Sequence, residues 1–600
     1  MNLFLRNARI LRALLTLMFV ISVSAQAQSW PQWMANARHT GTPGVAGQSL
    51  TRILADIVYD PTVPQEQAAS GGFLLVHYQV PLIDGERVFM EFKSGTIFPF
   101  APNFSTLNWG EKGFEWRAGK LVETWAFQSN WKAPGSLRDF WEPVFHAALA
   151  NGGVYVPMAS GGIAKLDKNT GAVLQQTAPF GQDANTYQTG PLTVDKSGNI
   201  YYNVIQIFDG ASFGGSFYSF DATDSFLVKV TPQGVASMVS YKALTAADAT
   251  ENTTGDCLDT FSQFELPWPS SPTASPLETF HCGTQRIGMN VAPAMGADGT
   301  IYSVTRSHFN SRYAFLVAIK PNLTKKWVSS LRSRFNDGCG VPVASGGVLP
   351  PNGTPGGCRD GAPVGVDPAT NRPGDGEVND SSSSSPAVGP DGAIFYGAFS
   401  RYNYDQGHMM KFNANGKFAG AYGFGWDQTP AIFQRDDDGK KCSGSGSGAC
   451  YSIVIKENRY GGIGSYCDNF FYCPTDRNAI MPASPEAYYI TQLDQNMNMQ
   501  WQFKGTNTQS CSRNPDGTLN CVSDHPNGFE WCVNGHLVDA KGVVYANSED
   551  GNLYAISQGG TLKEKIFQQL ALGAAYTPAS MDRRGRIYSQ NAGHLFVIGR

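Results

Sequence analysis

The strongest constraint on the fold is a short unit that returns along the whole chain. "GMNVAPAMGADGTIYSV" (Gly288 to Val304) and "SSSSSPAVGPDGAIFYG" (Ser381 to Gly397) share small or polar residues, a proline, a small apolar stretch, Asp-Gly and an apolar–aromatic run. The unit recurs in "TGPLTVDKSGNIYYN" from Thr189, "NGHLVDAKGVVYAN" from Asn534 and "YTPASMDRRGRIYSQ" from Tyr576, and in weaker form from Gln79, His146 and Asp427. Each of the eight copies reads as strand, tight turn, strand, because Asn and Gly accept the positive φ that a short hairpin turn demands. A second strand–turn–strand follows most copies, as in "GGIAKLDKNTGAVLQQ" (Gly161) and "AFLVAIKPNLTKKWV" (Ala314).

Four antiparallel strands per unit make a small sheet that cannot bury its faces alone, so eight of them must stack radially into one domain. The expected fold is all-β: an eight-bladed β-propeller of four-stranded antiparallel blades over residues 28–600. The copy from Tyr576 leaves room for too few strands, so the N-terminal segment is expected to close the ring through "LTRILADIVY" (Leu50 to Tyr59). No stretch of the mature chain shows a helical period.

Residues 1–27 stand apart. Arg6, Arg9 and Arg12 precede "ALLTLMFVISVSA", and small residues end at Ala27. This is the pattern of a secretory signal peptide, with an apolar run too short for a typical membrane span. A periplasmic or secreted protein without an integral membrane segment is expected. Removing three arginines and no acid moves the formal net charge from −4 to −7, which disfavours nucleic acid as a partner. A monomer is the expected state. Export also suits the cysteines. In chain order they form local pairs, Cys257–Cys282, Cys339–Cys358, Cys442–Cys450, Cys467–Cys473 and Cys511–Cys521, with Cys532 left as a free buried thiol.

Loop lengths divide the two faces of the ring. Turns such as "DKSG" at Asp195 and "NANG" at Asn413 are tight, whereas the long segments are 204–224, 247–289, 332–385, 456–486 and 506–534. Long, stapled loops on one face mark it as a binding face. Residues just before each innermost strand should ring the channel mouth there: Glu142, His146, Gln188, Arg286, Asn290, Asp380, Trp426, Asp427, Trp531, His536 and Tyr576. Polar groups set among aromatics are the usual make-up of a binding pocket. Trp426 with Asp427 and Trp531 with His536 rank first. Three other motifs carry no chemistry: "RDDDGKK" lacks alternating calcium ligands, Ser381 to Ser385 lacks G-x-S-x-G, and "GSGSG" lacks a following Lys-Ser/Thr.

"WPQWMANARHTG" (Trp30 to Gly41), "GGVYVPMASGGIAKLDKNTGAVL" (Gly152 to Leu174) and "SEDGNLYAISQGG" (Ser548 to Gly560) resemble the PQQ-like propellers, a superfamily that holds quinoprotein alcohol dehydrogenases and an outer-membrane assembly scaffold. The resemblance implies the fold and two classes of function. One is a binding or scaffold propeller that takes a small-molecule, polymer or protein ligand on its looped face. The alternative is a divergent quinone-dependent alcohol dehydrogenase, with PQQ and calcium in the channel and Asp427 as candidate catalytic base. The sequence departs from the dehydrogenases in lacking adjacent cysteines, and it departs from the scaffold in lacking a lipid-anchor cysteine and in having disulfide-bearing loops. The first class is therefore preferred, with no metal or cofactor assigned to it.

Overall fold

The computed structural model describes residues 30–69, 71–72, 79–96, 104–133, 144–207, 221–248, 256–258, 279–336, 363–367, 372–380, 382–400, 406–435, 450–459, 486–573 and 577–600. They form an eight-bladed β-propeller of four-stranded antiparallel sheets, numbered 1 to 8 in chain order. Sheet 3 shows the pattern in full, running outward through Thr186–Val194, Ile200–Ile207, Ala222–Val230 and Ala236–Ser240. Its first two strands join across "DKSG", where Gly198 has φ +77° and Asp195 accepts from the amides of Ser197 and Asn199. This is the turn chemistry that makes the repeat legible.

The other innermost strands are Leu82–Asp84, Ala148–Ala150, Ala294–Met295, Ala387–Val388, Ala431–Gln434, Leu537–Val538 and Ser580–Met581. Sheet 4 carries an extra strand, Gln285–Ile287, on the same neighbour as its innermost one. Sheet 8 takes its fourth strand from the other end of the chain: Arg52–Val58 lies antiparallel on His594–Gly599. Just beyond it, helix Val63–Ala69 brings Glu66 to the Nζ of Lys93 at 2.6 Å, beside Asp60 at 3.1 Å. All three are buried, so the ion cluster pins the N-terminal stretch to sheet 1. This helix and Tyr241–Thr245 correct the expectation of no helix. At seven and five residues they are too short to show a 3.6-residue period.

Neighbouring sheets lock through one repeated contact. Trp125, on the outer strand of sheet 1, covers Gly171 in the outer turn of sheet 2 and donates its Nε1–H to the Lys168 carbonyl at 3.1 Å. Trp327 does the same to Gly416 and the Ala414 carbonyl. Gly171 and Gly416 have φ +70° and +84°, and a Cβ on either would collide with the indole.

The opening segment, Trp30 to Gln48, runs round the inside of the ring. Trp30 bridges Ile83 of sheet 1, and the Pro31 carbonyl accepts from Leu149 of sheet 2. The Gln32 amide group pairs with both backbone groups of Val194 in sheet 3. The carbonyls of Ala37, Arg38, Thr40 and Gly41 accept from Met295, Val388, Ile432 and Val538 of sheets 4 to 7, and the Gln48 amide donates to Gly585 of sheet 8. Inner strands are sheet edges, and an unpaired edge buried at a channel axis is costly. One extended segment therefore serves all eight.

Candidate functional site

At the other end of the inner strands, the residues that precede them bond to one another in a girdle. The Gln79 Oε1 accepts from the Ala147 amide at 2.7 Å, and Trp131 Nε1 donates to the Gln188 carbonyl at 3.1 Å. Ser385 Oγ accepts from Ala292 at 2.9 Å, and Asp427 accepts from the Ser383 amide at 3.0 Å. Thr429 donates to the Asn534 carbonyl at 2.7 Å, Thr577 to that of Cys532 at 2.9 Å, and Gln590 to that of Gln79 at 2.7 Å. Two bonds skip a sheet: Val144 to Asn290 Oδ1 at 2.9 Å joins sheets 2 and 4, and Asn534 to Ser383 Oγ at 3.0 Å joins sheets 7 and 5. Trp33 rises from the opening segment into the girdle, donates to Thr429 Oγ1 at 3.3 Å and meets the His146 ring edge-on at 5.7 Å.

Asn290 and Asp427 occupy the same place, three residues before the inner-strand prolines Pro293 and Pro430, with φ +60° and +62°. Asn and Asp tolerate this left-handed conformation better than other side chains. It turns each carbonyl-bearing side chain sideways, Asn290 to Val144 ahead of sheet 2 and Asp427 to Ser383 ahead of sheet 5.

Burial sets the charge states. His146 donates its Nδ1–H to the Ala147 carbonyl at 2.7 Å and accepts from the Val80 amide at 3.2 Å, which fixes the neutral tautomer. Burial pulls its pKa to about 3, with nearby His39 adding to the effect. His39, bonded to the Pro386 carbonyl, is pulled by burial to about 4. His536, 2.8 Å from Gln428 Oε1, is pulled by burial and by Lys456 to about 3. Glu111 goes the opposite way: burial raises its carboxyl to about 8, against a bond from Gln79 that lowers it. Burial alone would raise Asp380, yet Arg286 and Arg306 hold it well below the usual carboxylate range. Arg286 grips it through both guanidinium nitrogens.

The sequence-derived residues are thus divided. His146, Gln188, Asn290, Asp427 and His536 lie in the girdle, buried. Arg286 and Asp380 form an ion pair at its rim between sheets 4 and 5. Trp426 is half-buried against Phe399, ring centroids 5.0 Å apart. Trp531 is 1% exposed and packs on Tyr554 and Phe503 inside the core, because its backbone is tied to Asn458 on both sides. Glu142 and Tyr576 lie outside the described residues. Sequence reasoning missed Trp33, His39, Gln79, Glu111 and Gln428. A histidine and two tryptophans within "WPQWMANARHTG" were the available signal.

Cys511–Cys521 is a disulfide, Cys282 and Cys450 are disulfide-bonded, and Cys532 is free and buried. Cys339, Cys358, Cys442, Cys467, Cys473 and the side chain of Cys257 lie outside the described residues.

The PQQ and calcium implied by the resemblance would need converging anionic ligands for the metal and cations for the quinone's carboxylates. Among the described residues no three His, Cys, Asp or Glu side chains are placed to hold a metal. Asp380 is taken by two arginines, and the three channel histidines are neutral. The described residues do not fit the group, and no chemical step is derived through it.

No protein-family model and no curated protein matches the chain. Among solved structures it is similar to a europium-containing methanol dehydrogenase, at 11% identity, covering 94% of this chain and 89% of that one with a TM-score of 0.48. It is similar to the quinohemoprotein alcohol dehydrogenase of Comamonas testosteroni at 13% identity, with coverages of 97% and 82% and a TM-score of 0.47. It is also similar to BamB of Moraxella catarrhalis at 10% identity, with coverages of 82% and 91% and a TM-score of 0.36. These neighbours include enzymes and a protein not titled as one, and nothing about activity passes from them to this chain.

Proposed function

We propose that this chain is an exported propeller that binds a small-molecule, polymer or protein ligand on its looped face. The observation that carries the reading is the double obstruction of the channel. The opening segment lines one end, and the girdle crosses the other with Trp33 inside it. Several of the side chains that would have to meet a cofactor in the channel are bonded to one another, as Asp380 is to Arg286 and Arg306 and Asn534 is to Ser383. The elaborated surface is the opposite resource: loop lengths set it away from the tight turns, and Cys511–Cys521 staples its 506–534 segment. Export rests on the signal-like first 27 residues, and among the described residues no helix is long and apolar enough to cross a membrane.

The test is a titration of the purified mature chain with PQQ and calcium, followed by a dye-linked alcohol screen. No retained quinone and no dye reduction are expected. Stoichiometric quinone binding, with turnover that Asp427→Asn abolishes, would establish the dehydrogenase instead. Sequencing the N-terminus of the exported protein checks the cut after Ala27.

A further inference from the structure

The connection from sheet 6 to sheet 7 holds a two-stranded ribbon, Gln509–Arg513 paired with Leu519–Ser523, that belongs to no blade. Cys511 and Cys521 stand directly opposite each other, bonded, with Cα atoms 4.1 Å apart. So short a separation marks a pair whose backbone amides and carbonyls point away from the partner strand. On Leu519–Ser523 the outward-pointing groups are then those of Leu519, Cys521 and Ser523.

The Gln509–Arg513 strand is tethered to sheet 7 by side chains near its two ends. Asn507 donates to Asp550 at 2.7 Å, and Arg513 donates to the Phe567 carbonyl at 3.0 Å while lying over its ring. Both partners belong to sheet 7. The edge of the other strand is bare: all five residues of Leu519–Ser523 are exposed, and no further strand pairs with it among the described residues. Leu519 is 43% and Val522 60% exposed. Alternation puts these side chains on opposite faces, so what they share is the edge itself.

Exposed edges are ordinarily blunted by lysine, proline or a bulge. "LNCVS" has no charge and no proline, and its pairing shows no register shift. An isolated ribbon is marginal in water, yet this one is held by a covalent bond that no core requires. A bare strand held in register is preorganised to accept another. Each end carries a carboxylate. Asp516 sits in the turn and accepts from Thr518, and Asp524, its side chain 45% exposed, follows the strand and bonds Ser510 and His525. Arg513, opposite Leu519, is turned to Phe567 of sheet 7.

We infer that Leu519–Ser523 is a docking edge, to which an extended segment of a partner protein adds as a third strand. The segment has apolar or β-branched residues in its middle and basic residues at its ends. The inference rests on the looped face being an interaction face.

The experiment uses the full mature chain and two labelled peptides, KVTVSVTK and EVTVSVTE, read by fluorescence anisotropy. Ser523→Pro removes an outward amide without taking a backbone bond from the ribbon, losing only the exposed hydroxyl contact with Thr508, and Val522→Lys adds a charge at the edge. An intact Cys511–Cys521 bond and an unchanged melting temperature report that each variant is folded. The lysine-flanked peptide should bind about tenfold or more tightly than the glutamate-flanked one, and each folded variant should lose about tenfold. Binding unchanged in folded Ser523→Pro overturns the proposal, as does failure of both peptides to bind. Concentration-dependent dimers abolished by Ser523→Pro would assign the edge to a second copy and equally overturn it. The quinone titration does not involve the ribbon. Turnover there removes the functional reading whatever the peptides do, and silence there with failed peptides removes only the docking edge.

Discussion

The channel wall should make the protein acid-sensitive in a calculable window. His39, His146 and His536 stay neutral in the fold, with pKa values of about 4, 3 and 3 against an ordinary 6.5. Their folded pKa values are depressed, so on acidification the unfolded chain takes up these protons first. Their contribution is complete above pH 6.5 and is lost as pH falls towards about 4 for His39 and about 3 for the others. Glu111 acts with the opposite sign. Its raised carboxyl, at about 8 against 4.5, favours the fold at low pH, and that contribution is lost as pH climbs from 4.5 to about 8. At pH 5.5 each unfolded histidine carries roughly 0.9 of a proton that its folded counterpart lacks, while folded Glu111 holds roughly 0.9 more than unfolded. Glu549, raised by burial and by Glu530 to about 8, acts as Glu111 does. Three gains against two losses therefore leave roughly 0.9 of a proton taken up on unfolding, or about 1.2 kcal/mol of stability lost per pH unit. Typical domains have about 5–15 kcal/mol in total, so the effect is measurable. Urea unfolding at pH 6.5, 6.0, 5.5 and 5.0, with proton uptake measured in weak buffer, reads both quantities. His536→Gln should remove roughly 0.9 of a proton from the uptake at pH 5.5. A stability that stays flat from pH 6.5 to 5.0, or an uptake unchanged in a folded His536→Gln variant, would refute the assignment of neutral buried imidazoles.

Other consequences are as direct. Lys93→Met leaves Asp60 and Glu66 buried without their cation and should cost about 3–5 kcal/mol, with new protease cleavage around residues 60–72 as the second readout. Trp33→Ala empties the middle of the girdle and should lower stability by about 3–5 kcal/mol in chemical denaturation. Gly41 has φ +65° and lies against the His536 carbonyl, so Gly41→Ala should destabilise by about 1–3 kcal/mol, whereas Gly119→Ala, in open space at φ +79°, should cost less. Burial pushes the Cys532 thiol well above its ordinary pKa, so a thiol reagent should find it unreactive in the native protein and reactive after unfolding. Rapid native labelling of Cys532 would contradict its placement.

The ring was legible because its information is local and repeated. Even the weak copies from Gln79 and Asp427 begin sheets 1 and 6. In sheet 1 the Asp-Gly turn and alternating apolar runs carry the hairpin within about a dozen residues, while in sheet 6 the first strand, Ala431–Gln434, pairs with Tyr451–Arg459. What could not be read is carried by contacts made once between distant positions. Trp30 to Gln48 has no repeat to betray that it visits every sheet, and its partners lie up to 552 residues away. The channel-mouth positions follow from strand order, but not what their side chains do there. Asp427 is turned sideways by its positive φ into a bond with Ser383, and Trp531 is drawn into the core by Asn458. Neither outcome depends on a neighbour in sequence.

The pairing of Arg52–Val58 with His594–Gly599 has a temporal meaning. Arg52–Val58 waits for a strand synthesised much later, and the Thr51 hydroxyl reaches the Gly599 carbonyl across a separation of 548 residues. Until that moment the outer strand of sheet 8 lacks the strand it pairs with, and the opening segment lacks the inner strands not yet made. A chain emerging from one end therefore carries a bare edge and unpaired backbone throughout its synthesis, which exposes it to aggregation and favours chaperone holding over stepwise folding. Removing residues 595–600 would withdraw the partner of a strand half a thousand residues upstream, so a late lesion would surface as disorder in residues 52–58.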